Sequence, residues 1–387
     1  MFVGRDPLTG RKRYISRTVR ASGKREAERR CAELEVELRA GQSAPRAGTF
    51  GRLLEDWMAT RGRRWSPSTM REHRRIASRY LAPLARLDVD RITTRTLDTF
   101  YAELERRGGA CTRRPSCDDY PCAHGGPLSA STVRRVHVVV RAALEQAVRW
   151  GWIARNPAEH AEPGELVERE VRPPDGAEVV RLLAAAEQVD ERLAVFLALA
   201  VSTGARRGAL CALRWSDVDL AAGVVRFSRV VVHGPDGLVE RPSTKGKRTA
   251  PAVALDPYVR AALEAHHDRC FETALMCGVA LPPDALVFSD DPAGRVPWRP
   301  DGVSRRFRRL ARRVGLEHTR LHDLRHWMAT TLIAAGIDVP VVAQRGGWAR
   351  AATLLERYAH ALPHRDRAAA DVIGGVIAGR PSGSSSN

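Results

Sequence analysis

The stretch that decides the fold is HTRLHDLRHWMATTLIAAGIDVPVVAQRGGWARAATLLERYAH, His318 to His360. His322 and Arg325 open a helical pattern. At about 100° per residue they share one arc of that helix with His326. Leu324, Met328, Thr331 and Ala335 gather on the roughly opposite face, which the pattern predicts to be buried. Gly336 stops the helix, Pro340 helps open the next, and Tyr358 follows near the end of the stretch. A cation, an imidazole and a phenol can therefore converge in one small unit. Phosphoryl transfer to a tyrosine requires these groups: donors for the phosphate oxygens, a proton acceptor and a nucleophile.

Composition narrows the partner. The 387 residues leave room for two or three domains, and 63 Lys+Arg against 45 Asp+Glu give a net charge of +18. Such an excess predicts a polyanion as partner, most simply DNA phosphate, bound less tightly as salt rises. A GC-rich genome would explain the preference for arginine over lysine, but less easily the excess itself. Seven cysteines without a signal peptide point to a reducing cytoplasm rather than a disulfide framework. The longest apolar run, near Leu193 to Val201, falls short of the ~18 residues of a membrane span, so a soluble, nucleoid-associated protein is expected.

Going outward from the deciding stretch, the chain reads as mainly helical and multidomain, an α+β protein with one small antiparallel sheet. Residues 1–44 read as a hairpin turning at Asp6-Pro7-Leu8-Thr9-Gly10, followed by an amphipathic helix from Lys24. Residues 45–165 read as a helical domain. Thr49, the Ser66-Pro67 pair, Thr93 and Ser129 open its helices, with Trp57, Tyr80, Phe100 and Val140 among the inward positions. Glu162 to Pro174 is a hinge, and residues 173–380 form the last domain. Within it Gly223 to Val253 alternates as a short antiparallel sheet around the turn GPDG. Ala368 to Ala378 reads as a small apolar helix, and residues 381–387 are a disordered tail by composition.

One insertion, GGACTRRPSCDDYPCAHGGP, stands apart. Cys111, Cys117, Cys122 and His124 could hold zinc through three thiolates and an imidazole, although their spacing does not match the usual CxxC knuckle. The alternative is a loop with reduced thiols.

HDLRH (His322 to His326) and the tyrosine of LLERYAH (Leu354 to His360) resemble the second box of the tyrosine recombinases, the phage integrase family. STGARRGALCALRWSDVDL, Ser202 to Leu220, is similar to the family's first box. The resemblance covers most of the chain and rests on three ordered motifs; HxxR alone would be weak. It implies an arm-type DNA-binding module over residues 1–44, here with two strands where relatives have three, as though the start were shortened. It implies a core-DNA-binding domain over 45–165 and a catalytic domain over 173–380.

The same resemblance assigns roles. Arg206 and Arg325 would clamp the phosphate, a task that suits a bidentate, permanently charged guanidinium. Arg207 competes with Arg206, but burial of Leu210, Leu213 and Trp215 on the other side favours Arg206. Lys245 matches the lysine that protonates the leaving 5′ oxygen, with Lys247 a close rival and backbone contact the plain alternative. His322 would take or shuttle the tyrosine proton, His326 would brace the helix, and Tyr358 would be the nucleophile. Trp348 stands where many relatives carry a histidine; its indole can donate to a phosphate oxygen but cannot relay a proton. Ala209 departs from the family's usual acidic residue, which puts the support of Arg206 in doubt.

The expected activity is site-specific recombination through a 3′-phosphotyrosine and a Holliday junction, by a homotetramer on double-stranded DNA. A host bending factor or an excisionase is a possible further partner. No cofactor is required, because the phosphodiester energy is retained, and no GxxxxGK[ST] loop is present. The rivals are a type IB topoisomerase and a DNA-binding regulator that keeps the fold without cleaving.

Overall fold

Side-chain caps set six of the helix starts among the described residues. Thr49, Ser66 and Asp256 each accept a backbone N–H of the first turn, and Asp190 accepts two. Thr93 with Thr96, and Asp175 with Glu178, close reciprocal capping boxes. The computed structural model describes residues 2–5, 12–14, 23–39, 48–109, 126–165, 173–243, 251–348 and 350–358. Its contacts divide the chain into two units, residues 1–167 and 168–387.

In the first unit β1 (Phe2–Arg5) pairs antiparallel with β2 (Lys12–Tyr14), and α1 (Lys24–Arg39) follows. The helical part comprises α2 (Phe50–Arg61), α3 (Pro67–Tyr80), α4 (Ala82–Ala85), α5 (Thr94–Arg107) and α6 (Ala130–Arg149). α6 packs on α2, α3 and α5, and its valines at helical spacing meet Phe50, Leu53, Ile76, Leu97 and Tyr101 in one core. The zinc candidates Cys111, Cys117, Cys122 and His124 lie outside the described residues.

The second unit is built around α8 (Glu191–Thr203), buried without interruption from Leu193 to Val201. A helix apolar all round must be covered on all sides. α7 (Gly176–Glu187), α10 (Pro257–Met276) and α12 (Asp323–Ala334) all pack on it. Around this centre lie α9 (Arg207–Leu210), α11 (Pro300–Arg313), α13 (Val339–Gly346) and α14 (Ala351–Tyr358). Residues 359–387, with the expected apolar segment and tail, lie outside the described residues.

Two expectations are corrected. Gly223 to Val253 forms parts of two sheets rather than one. β3 (Val218–Asp219), β4 (Val224–Arg226) and β7 (Ala252–Ala254) make the first, with Val225 opposite Val218 and Val253. β5 (Arg229–His233) and β6 (Leu238–Pro242) make a separate hairpin. The break falls where Asp217 draws the chain aside: its carboxylate accepts from Ser228 Oγ at 2.8 Å and Arg229 Nη1 at 3.1 Å. The buried face of α12 is also rotated. Leu324 and Met328 are buried as expected, but Thr331 and Ala335 are exposed, and Arg325 points inward with Ala329 and Ile333.

Candidate active site

Two helix ends supply the acceptors of the site. α8 stops at Gly204, whose φ of 63° is left-handed and disfavours any side chain. α13 stops the same way at Gly347, φ 67°. There the N–H of Gly347 returns to Gln344 O at 3.1 Å and that of Trp348 to Ala343 O at 2.8 Å. Each reversal turns late carbonyls of its helix away from the helical ladder and leaves them open to side-chain donors.

Arg325 fills the space between these ends. Its side chain is buried, with 3% of the residue exposed. Nη1 donates to Gly204 O at 2.5 Å and also to Gly346 O. The guanidinium carbon stands 3.4 Å from the centre of the Trp348 ring. A charge this deep is tolerable only with such partners; carbonyl oxygens and a π face both hold a cation. Trp348 is thus a lid on Arg325, and the half-buried indole also packs on the small core of α12, α13 and α14.

Arg206 reaches the same turn from the N-terminus of α9. It is exposed, and its Nη1 donates to Gly347 O at 3.2 Å. Arg207 turns away and donates to Ser304 Oγ on α11 at 2.5 Å. Leu210, Leu213 and Trp215 are all buried, the side chosen from the sequence. Ala209 is buried as well, at 6% exposure.

His322 stands at the N-cap of α12, its ring 5.0 Å from that of His326 in an edge-on pair. The residue keeps an exposed edge. The protein packed around the ring, then His326 and Arg325, push its pKa down to about 4, with Arg206 adding to the effect and Asp323 opposing it. At neutral pH the imidazole is uncharged.

Tyr358 is the last residue of α14. Four residues earlier Leu354 is fully buried against Ala329, Ile333, Val342 and Ala343, which seats α14 on α12 and α13. Lys245 and Lys247 lie outside the described residues. The strand leading to them is fixed by Ser243, which donates through N to Ser228 O at 2.9 Å and through Oγ to Phe227 O at 2.5 Å.

The sequence model of the phage integrase family matches residues 175–365, the span that holds these residues. Residues 175–365 form a phage integrase family domain. It is similar to the ICEBs1 integrase of Bacillus subtilis, 23% identical over 97% of this chain and 95% of that one. The Tn1549 transposon integrase, solved with transposon right end DNA, matches at a TM-score of 0.65 and 17% identity over 84% of this chain and 99% of the other. A lambda integrase tetramer on a Holliday junction matches at 0.51 and 20% identity over 90% of each chain. These structural likenesses show the fold, mainly helical with small antiparallel sheets. The chain is a tyrosine-type site-specific recombinase, an enzyme that cleaves and rejoins DNA. No helix among the described residues is long and apolar enough to cross a membrane.

Sequence reasoning missed one member of the neighbourhood, Arg345. Its signal is the one charge on a mostly apolar helix, immediately before the glycine pair.

Proposed function

We propose that Tyr358 attacks the scissile phosphate of an attachment site while Arg206 and Arg325 hold its non-bridging oxygens. The observation that carries this reading is the turn at Gly346 and Gly347. It accepts from both arginines and lies on the connection between α13 and the helix bearing Tyr358. A bond forms between the tyrosine oxygen and phosphorus, and the bond to the 5′ oxygen breaks. Neutral His322 takes the phenol proton and Lys245 supplies one to the leaving oxygen, which yields a 3′-phosphotyrosine and a 5′-hydroxyl. Attack by the 5′-hydroxyl of the partner strand reverses the step, so no metal or nucleotide is consumed. Trp348 holds the buried clamp in place and donates its indole N–H to the same phosphate.

The wider assembly follows the relatives. Four copies on two DNA sites, exchanging strands pairwise, agree with the similar lambda integrase tetramer on a Holliday junction. The match to the ICEBs1 integrase over 97% of this chain supports the same use, and the enzyme would work in the cytoplasm beside the chromosome. A bending protein or an excisionase would set direction.

The test is a nicked suicide duplex, from which the 5′ fragment diffuses away. Wild-type protein should become joined to the 3′ end, and Tyr358→Phe should bind equally and form no adduct. Tight binding without any adduct would leave a DNA-binding regulator. An adduct in Tyr358→Phe would mean another nucleophile.

A further inference from the structure

Between the ends of α8 and α13 lies a second connection that the chemistry above does not use. Arg345, the last residue of α13 before the glycine pair, is partly buried, and its Nε donates to Ser202 O at 3.0 Å. Nη2 lies 3.4 Å from Ser202 Oγ. Ser202 in turn donates through Oγ to Asp256 Oδ2 at 2.6 Å. Asp256 is itself held, because its other oxygen caps α10 by accepting from Val259 N at 3.0 Å. A chain of hydrogen bonds thus runs from α13 through the last turn of α8 to the start of α10.

The position of this chain gives it meaning. Ser202 and Gly204 sit in one turn, and so do Arg345, Gly346 and Gly347. Arg325 bridges Gly204 O to Gly346 O, and Arg345, next to Gly346 in the chain, reaches back with its own side chain to Ser202 O. Two guanidinium groups therefore tie the same pair of helix ends. The second tie does not touch the phosphate side, where Arg206 holds Gly347 O. Arg345 lines the wall of a cavity of about 500 Å³ together with Ser202, Asp256 and apolar side chains such as Leu332 and Val341. Tyr258 and Thr331 share that wall, and the guanidinium's hydrogen bonds there go to Ser202. Burial lowers its pKa and Asp256 pulls the other way.

We infer that Arg345 is a positioning residue for strand cleavage, setting through Ser202 and Asp256 the place of the Gly346–Gly347 carbonyls on which both phosphate-clamping arginines rest. The inference rests on the proposed role of Arg206 and Arg325. Without Arg345, one of the two guanidinium ties between the turn and α8 is lost, and the clamp geometry loosens in the transition state while the DNA-binding surface is unchanged.

The experiment compares Arg345→Met, Arg345→Lys and wild type, all full length, in single-turnover cleavage of the suicide duplex. DNA affinity and thermal melting are measured alongside. Arg345→Met should slow cleavage on the order of 100-fold, the cost of misplacing a catalytic group by about 1 Å, at unchanged affinity. Arg345→Lys should recover part of that loss, since an ammonium can still donate to Ser202 O. A second duplex carries a methyl group in place of one charged oxygen at the scissile phosphate. That linkage needs less cation, so the gap between wild type and Arg345→Met should shrink on it. The inference is overturned if Arg345→Met cleaves like wild type, if affinity and cleavage fall together, or if the gap is the same on both linkages. Failure of wild type itself to cleave would instead overturn the proposed cleavage chemistry.

Discussion

Arg325 and Arg206 carry the same proposed duty, yet the structure predicts different consequences for losing them. Arg325→Ala removes a buried guanidinium and leaves Gly204 O and Gly346 O, both on buried residues, without their donor. Each unsatisfied carbonyl costs about 1–3 kcal/mol. The lost contact with Trp348 adds about 2 kcal/mol, the value for a desolvated cation on an aromatic face. Removal of a desolvated charge returns some of this, so the net loss should be on the order of 4 kcal/mol. At about 2–4 °C per kcal/mol for a unit of roughly 150–250 residues, the transition of the catalytic unit should fall by about 8–16 °C. Arg206→Ala removes an exposed side chain with one long hydrogen bond, and should stay within about 0.5 kcal/mol of wild type. Both variants should lose the covalent adduct. Differential scanning calorimetry beside the suicide-substrate assay separates the two effects. An Arg325→Ala protein that melts with wild type would refute the buried-clamp geometry. An Arg206→Ala protein that melts as low as Arg325→Ala would refute the asymmetry between them.

Two further outcomes follow from other parts of the molecule. The pKa of His322 is depressed from the ordinary 6.5 to about 4, so its neutral form in the folded protein adds stability that is complete above pH 6.5 and is lost as pH falls toward 4. Cleavage at saturating DNA should accordingly hold steady through pH 6.5, whereas a fall centred there would show that the ring titrates normally. For the Cys111–His124 insertion, metal analysis of purified protein decides: about one equivalent of zinc, with a melting point lowered by chelation, marks an assembled site. Metal-free protein with a melting curve indifferent to chelator marks a plain loop.

Much of this was legible because local rules and global packing agree. Thr49, Ser66 and Thr93 were readable as helix starts from hydroxyl chemistry alone, and the structure places each at an N-cap. The apolar run Leu193 to Val201 announced a buried helix, and α8 is the centre of its unit. Leucines and a tryptophan at fixed spacing say which side of the Arg206–Trp215 stretch faces in, and Leu210, Leu213 and Trp215 are all buried. The reading failed where a charge faces inward. Periodicity assigns an arginine to the solvent side, so it turned the buried face of α12 toward Thr331 and Ala335. What overrules the pattern is a pair of carbonyls 121 and 21 residues away along the chain, and no local rule reports these. The sheet failed for a similar reason: strand propensity runs through Phe227 and Ser228, and only Asp217, from an earlier turn, breaks it.

The inward arginine also bears on why the site withstands its own charge. Three cationic groups close together repel one another, and a phosphate is present only during reaction. In the resting protein each arginine is parked on backbone carbonyls: Arg325 on Gly204 and Gly346, Arg206 on Gly347, Arg345 on Ser202. Backbone dipoles do not titrate, so Arg325 and Arg206 keep their direct partners across pH where a carboxylate partner would be protonated in acid or would compete with the substrate's own negative charge. In the second unit Ala209 is buried where a carboxylate is expected, and Arg206 donates instead to Gly347 O. On the proposed chemistry, anchoring of that turn matters as much as the arginines it supports.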